Sequence, residues 1–187
     1  DESVTMEELL NDIDKLNKNP KINGILVQMP LPEHLDTNVI QNAVIPSKDI
    51  DGLSDMNAGR LFHVKEALYS CTPYGVMELL KRYNIPVMGK HAVVVGRSNL
   101  VGKPMCMMLI NAGATVTVCH SKTVDLAKYT READILISCV GKANFITDDM
   151  VKSDSVVIDV EITRSEIGLC GDVDFQNVAN KTKYITP

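Results

Sequence analysis

Several things are scarce in this sequence, and each scarcity excludes something. No apolar run in its 187 residues approaches the roughly 20 needed to cross a bilayer, so no membrane span is expected. Positive charge is not in excess. Nineteen Lys and Arg stand against 24 Asp and Glu, a net charge of −5, and non-specific nucleic-acid binding wants the opposite. A local basic pocket for a phosphate stays compatible with that balance. Cysteines are few and dispersed (Cys71, Cys106, Cys119, Cys139, Cys170), with no Cys-x-x-Cys pair. An odd, scattered set predicts reduced thiols in a cytoplasmic setting, mostly acting as small buried hydrophobes. Internal repeats and low-complexity tracts are lacking. The first residue is Asp1 rather than Met, so the start of the protein, with any targeting peptide, is expected upstream.

What is there is an ordinary globular composition, 45% hydrophobic and 23% charged, with room for one large domain or two small ones. Thr5-Met6-Glu7-Glu8 reads as a capping box. Met6, Leu9, Leu10, Ile13 and Leu16 follow at helical spacing, and Asn19-Pro20 ends the helix. Ile22 to Met29 reads as a buried strand, Asp36 to Ala43 as a short helix, and Pro46 to about Asn57 as a polar loop. Thr72-Pro73 predicts a helix start, with Thr72 as the cap. From Ala92 the chain alternates. Strands are expected at 92–95, 114–119, 135–140 and 156–160, and helices at 101–111, 126–132 and 148–151. Near-continuous apolar strands alternating with helices predict a parallel sheet covered on both faces. The expected fold class is therefore α/β, with a partial catalytic domain over 1–69 and a Rossmann-like domain over 70–187.

The strand Ala92–Val95 runs into Gly96-Arg97-Ser98-Asn99-Leu100-Val101-Gly102-Lys103-Pro104, and a helix follows. Glycines there let backbone approach a phosphate, and a helix N-terminus offers free N–H groups and partial positive charge. The pattern departs from Gly-x-Gly-x-x-Gly, and a tight turn with a solvated arginine fits it as well. The second strand ends Cys119-His120-Ser121-Lys122-Thr123, without the carboxylate that would hold ribose hydroxyls in an NAD site. Arg97, Ser121 and Lys122 could instead hold a 2′-phosphate, which favours NADP over NAD. A plain polar loop is the other reading. The third and fourth strands end at Ser138–Lys142 and Asp159–Ile162. Ligands in open α/β sheets lie beyond the carboxyl ends of strands, so both loops should border the crevice. Cys139 reads as packing, since no base is marked for it.

Six collinear segments carry a resemblance: Gly24–Pro32, Lys48–Gly52, Cys71–Gly75, His91–Pro104, Val116–Thr123 and Gly171–Asp174. Together they closely resemble the methylenetetrahydrofolate dehydrogenase/cyclohydrolase family over essentially the whole chain. The resemblance implies a homodimeric two-domain enzyme of one-carbon metabolism. It would oxidise methylenetetrahydrofolate with NADP and hydrolyse the methenyl product to formyltetrahydrofolate. It also implies that Gln28 hydrogen-bonds the family's catalytic lysine and that Asp51 grips the pterin. Val27 and Met29 would flank them at the tetrahydrofolate site. Gly96, Arg97, Ser98 and Ser121 would be cofactor contacts, with Ile162 at the nicotinamide end.

From the residues alone, Gln28 also reads as a strand-end residue, and Asp51 as half of an Asp-Gly turn. The family's Tyr-x-x-x-Lys motif would fall before Asp1, and its Pro/Gly-rich substrate loop beyond Pro187. On that basis Leu9, Leu10, Ile13, Ile25 and Val27 are expected partly exposed. Glu161-Ile162-Thr163 stands where the family usually reads Gly-Ile-Asn, placing a carboxylate beside the cofactor path. The rival readings are a catalytically inactive NADP-binding fragment and a different NADP-dependent dehydrogenase. No metal site, nucleic acid or membrane partner is expected.

Overall fold

The computed structural model describes residues 3–165 and 168–187. The chain forms two compact units, Asp1–Cys71 and Thr72–Pro187. Among the described residues, no helix is long and apolar enough to cross a membrane.

In the first unit the capping box forms as read. The Thr5 Oγ1 accepts the Glu8 N–H at 3.2 Å, and Glu8 Oε2 accepts the Thr5 N–H at 2.9 Å. Helix α1 (Met6–Lys18) starts there and ends at Asn19, ahead of Pro20. Helix α2 (Thr37–Ala43) is capped by Asp36, whose carboxylate takes the Asn38 and Val39 amides. Ile13, Ile25, Ile40 and Val44 form the core, with Leu9, Leu10 and Val27 packed against it.

Three expectations fail in this unit. Residues 22–29 do not form a strand. Their one rung is a parallel bridge between Ile25 and Asp49, and Leu26 is 53% exposed. The segment is extended and turns alternate residues inward, but a ladder needs more than one rung to propagate. Nor does 46–57 stay a loop: Ser54 caps a third helix, α3 (Asp55–Phe62), through the Asn57 amide. Its polar first turn hid it from a search for apolar periodicity. Ile13 and Ile25 are not partly exposed but buried, at 3% and 7%.

Helix α4 (Cys71–Arg82) leads into the second unit. It begins at Cys71, so Thr72 lies within the first turn rather than capping it. Pro73 sits where a helical N–H would lack a partner anyway. Strand β1 (His91–Val95), helix α5 (Gly102–Asn111), β2 (Thr115–Cys119), α6 (Leu126–Thr130) and β3 (Ile135–Ser138) follow in alternation. A 3₁₀ turn at Asp148–Met150 leads to β4 (Val156–Asp159). Beyond β4 lie pieces the sequence did not announce: an antiparallel pair, β5 (Thr163–Ser165) and β6 (Gly168–Cys170), then α7 (Phe175–Val178) and β7 (Tyr184–Ile185).

The main sheet has the order β2-β1-β3-β4-β7 and is parallel throughout. Ala92, Val93 and Val94 in β1 and Leu136 and Ile137 in β3 are fully buried, as a sheet covered on both faces requires. Each of these valine, leucine and isoleucine side chains contributes on the order of 1.5–3 kcal/mol through burial. The stepwise order places β1 and β3 at the centre, with their carboxyl ends side by side.

Candidate functional site

The ends of β1, β2 and β3 meet at Gly96. Its N–H donates to Cys119 O at 2.9 Å. Its φ of +134° is a conformation that L side chains avoid, and a Cβ there would press on the Cys139 carbonyl oxygen and Sγ. A Cβ on Gly102 would fall 2.5 Å from the Gly96 carbonyl oxygen, so α5 starts directly against the turn. Glycine at both positions lets three backbone segments approach closely.

These segments border a cavity of about 520 Å³. Its lining includes Gly96, Arg97, Ser98, Ser121, Val140 and Lys142. Arg97 and Lys142 bring positive charge, and no carboxylate lines the cavity among the described residues. The turn after β2 presents Ser121. His120 N–H donates to Thr123 Oγ1 at 2.8 Å, Thr123 N–H to His120 O at 2.8 Å, and Lys122 N–H to His120 Nδ1 at 3.1 Å.

One detail corrects the reading of the phosphate turn. The first amides of α5 are not free. Val101 and Gly102 donate to Ser98 Oγ at 3.1 and 3.3 Å, Lys103 donates to Ser98 O at 3.0 Å, and Pro104 has no N–H. Val101 is the N-cap residue, and the oxygens of Ser98 take up the amides around it. The Ser98 hydroxyl proton, the Arg97 guanidinium and, from the turn after β2, the Ser121 hydroxyl can donate to an anion.

The structure brings Gly96, Arg97, Ser98 and Ser121 together around one cavity. Ile162, expected at the nicotinamide end, is 72% exposed and does not line it. Glu161 beside it is half-buried. Burial first, then the Asp172 and Asp159 carboxylates, push its carboxyl above the ordinary range. Cys139 lies at the cavity floor with Sγ 3.3 Å from Val95 O. Burial, helped by nearby negative charge, pushes its thiol to about 12, so it stays protonated and acts as packing.

In the first unit, the Lys48 ammonium binds the carbonyls of Leu16, Asn17 and Asn19 at 3.0, 2.6 and 2.8 Å, closing the end of α1. Asp49 is buried and holds the next loop. Its carboxylate accepts the Leu53 and Ser54 amides at 3.2 and 2.9 Å and the Asn57 side-chain amide at 2.9 Å. Gly52 has φ +63°, and a Cβ there would lie 2.5 Å from Leu68 O, so the Asp-Gly pair does form a turn. Asp51 sits in that turn, half-buried. Burial and the Asp49 charge raise its pKa, opposed by a hydrogen bond from Cys71. From the Ile25–Asp49 bridge, the segments holding Val27, Gln28 and Met29 and holding Asp51 run on in the same direction. Gln28 is exposed, its side-chain amide 3.1 Å from Met29 O.

Asp49 and Asp172 are the residues that sequence reasoning passed over. Both lie in the resembling segments, but nothing in the sequence tells a buried carboxylate that organises a loop from one that meets a ligand.

A parallel sheet with a cationic crevice at its strands' carboxyl ends defines a nucleotide-cofactor-binding α/β domain. The chain belongs to the tetrahydrofolate dehydrogenase/cyclohydrolase family. Residues 70–187 match that family's NAD(P)-binding domain and residues 1–51 its catalytic domain. Bifunctional protein FolD of Burkholderia lata is 54% identical over 187 residues, which are all of this chain and 65% of that protein. The chain thus spans just under two thirds of that relative's length. The crystal structure of the FolD dehydrogenase/cyclohydrolase of Campylobacter jejuni matches with a TM-score of 0.98 and 50% identity, over 100% of this chain and 67% of that one. The Trypanosoma brucei enzyme, crystallised with NADP cofactor and inhibitor, matches with a TM-score of 0.92 and 36% identity, over 100% and 66%.

Proposed function

We propose that the second unit binds NADP and that the protein is a methylenetetrahydrofolate dehydrogenase and methenyltetrahydrofolate cyclohydrolase, working as a homodimer in the cytoplasm. The observation that carries the cofactor reading is the composition of the crevice: Arg97 and Ser121 at its strand ends, and, among the described residues, no carboxylate in its lining. An acidic residue there would favour ribose hydroxyls and repel a 2′-phosphate, whereas a guanidinium and a hydroxyl bind it. The residues fit the group: glycines at 96 and 102 keep the turn free of side chains where backbone packs against backbone.

NADP bound there would supply the hydride acceptor. Hydride leaves the methylene carbon of methylenetetrahydrofolate, giving the methenyl cation. Water then adds to that carbon with loss of a proton, and ring opening yields the formyl product. In this chain Arg97, Ser98 and Ser121 hold the cofactor's phosphates and ribose. Asp51 binds the pterin, Val27 and Met29 flank it, and Gln28 orients the family's catalytic lysine. Ile162 approaches the nicotinamide end through its backbone. Positioning of two bound ligands supplies most of what hydride transfer requires.

The test is fluorescence titration with NADPH and NADH. Arg97→Ala should weaken NADPH binding about 10- to 100-fold, the loss of one charge-assisted hydrogen bond, and leave NADH nearly unchanged. Equal losses for both cofactors would remove the 2′-phosphate role.

A further inference from the structure

The Gly171–Asp174 segment has no part in the function described so far, yet among the described residues it holds the most completely buried carboxylate of the second unit. Asp172 is 0% exposed. Its Oδ2 accepts the Ser138 hydroxyl at 2.9 Å and the Val140 N–H at 2.7 Å, and its Oδ1 accepts the Lys142 N–H at 2.8 Å. No cation is among these partners: three neutral donors from one short stretch surround a single carboxylate. Two of them are alternate amides of the loop after β3, whose Val140 and Lys142 line the cofactor crevice.

The carboxylate is itself held in place. Asp159, at the end of β4, accepts the Asp172 N–H at 3.0 Å and the Val173 N–H at 2.8 Å. Gly171 permits this approach, since a Cβ there would run into the Asp159 carboxylate. On its far side the Asp172 carbonyl accepts the Ile146 N–H at 2.9 Å.

We infer that Asp172 is a positioning residue for the cofactor. From behind the crevice it fixes the 138–142 loop, and so sets where Val140 and Lys142 stand relative to the Gly96 turn. Its oxygens are occupied by the loop, so it acts through the loop and not by touching the ligand. Preorganising that wall removes the ordering cost that a bound cofactor would otherwise bear. Gly141, at φ +72°, lies between the two anchored amides, and a Cβ there would meet no atom within 4 Å, so the loop is not wedged against a neighbour at that point. This inference rests on the NADP reading above for its ligand, but not for its geometry.

The experiment uses Asp172→Asn in the full chain, with two readouts. The side-chain amide has one acceptor oxygen and an NH2 group where the carboxylate had two acceptor oxygens, so at least one loop amide loses its partner. With the fold intact by circular dichroism, NADPH binding should weaken about tenfold, the equivalent of one charge-assisted hydrogen bond. Hydrogen exchange at Val140 and Lys142 should accelerate by a similar factor, while Val93 and Val157 in the sheet keep their protection. Binding within about twofold of the parent, or protection lost evenly across the sheet, would overturn the positioning role. Should Asp172→Asn fail to fold, Ser138→Ala decides. It removes one donor to Oδ2, and the inference requires faster exchange at Val140 and weaker NADPH binding. No change in either would overturn it. If the parent chain does not bind NADPH at all, the cofactor reading fails, and the exchange at 140 and 142 alone decides whether Asp172 holds the loop.

Discussion

Replacing Gly96 by alanine places one methyl group at the junction of three strand ends. Two costs follow from the structure. The φ of +134° must be kept by a residue that has a Cβ, which costs about 1–3 kcal/mol. The new Cβ also presses on the Cys139 carbonyl oxygen and Sγ, and one of those is backbone, so strand β3 or the turn has to move. Overpacking of that kind costs about another 1–3 kcal/mol. The expected total is about 2–6 kcal/mol, a large part of the roughly 5–15 kcal/mol typical of a whole domain. In thermal unfolding this should lower Tm by at least about 4 °C. The same displacement widens the gap between the Gly96 turn and the 139–142 wall, so NADPH affinity should fall in the fraction that remains folded. Gly59→Ala is the control. It lies within α3 with open space around it, and there alanine should gain about 0.5–1 kcal/mol. A Gly96→Ala protein that melts with its parent would refute the claim that these three backbones meet so closely.

Asp49→Ala should cost about 2–4 kcal/mol, because two amides and the Asn57 side chain lose a buried charged acceptor, and urea unfolding measures it. Asp51→Asn should abolish folate turnover in the full-length protein while keeping stability within about 1 kcal/mol of the parent. A variant that unfolds but binds folate normally when folded would reduce Asp51 to a turn residue. Glu161→Gln should raise Tm at pH 7. The Glu161 carboxyl titrates above its ordinary 4.5, so its ionised form is less favourable in the folded state than in the unfolded one. That penalty is fully present above the raised value and vanishes below 4.5, so the two proteins should converge as the solution is acidified. A gain that grows in acid would contradict this sign.

Periodicity and breakers made most of the second unit legible. Ala92–Val95 and Ile135–Ile137 are apolar on both faces, as strands of a doubly covered parallel sheet are. The cavity at Gly96 followed from that topology, because strand order decides where carboxyl ends converge. What stayed hidden was decided by partners remote in sequence. Residues 22–29 hold the apolar run Ile25-Leu26-Val27 and read as a buried strand, but pairing depends on what lies alongside, and a single bridge to Asp49 is what they found. Helix α3 has too polar a first turn for hydrophobic spacing to show it, and Ser54 was the one local clue. The β5–β6 pair and β7 are two or three residues long, shorter than any period can register. At the site, sequence placed Arg97 and Ser121 at strand ends but could not show that Ser98 consumes the helix's first amides. Nor could it show that Asp49 and Asp172 turn their carboxylates toward their own loops.

The order β2-β1-β3-β4-β7 has a consequence for how this unit acquires its structure. Its rungs join Ile135 with Val156, His91 with Thr115, Val156 with Tyr184, and Ala92 with Ile135, so even the nearest partners are 21 residues apart. A parallel ladder cannot start from a tight turn, and each rung must first close a long loop against chain entropy. Among the described residues, the one local strand pairing in the unit, β5 with β6, lies outside the main sheet and can nucleate none of it. Folding should therefore be slow for the unit's size, limited by the search that brings β1 beside β3. Because the Gly96 turn joins the ends of those same strands, the crevice can take shape only after the sheet's slowest contact has formed.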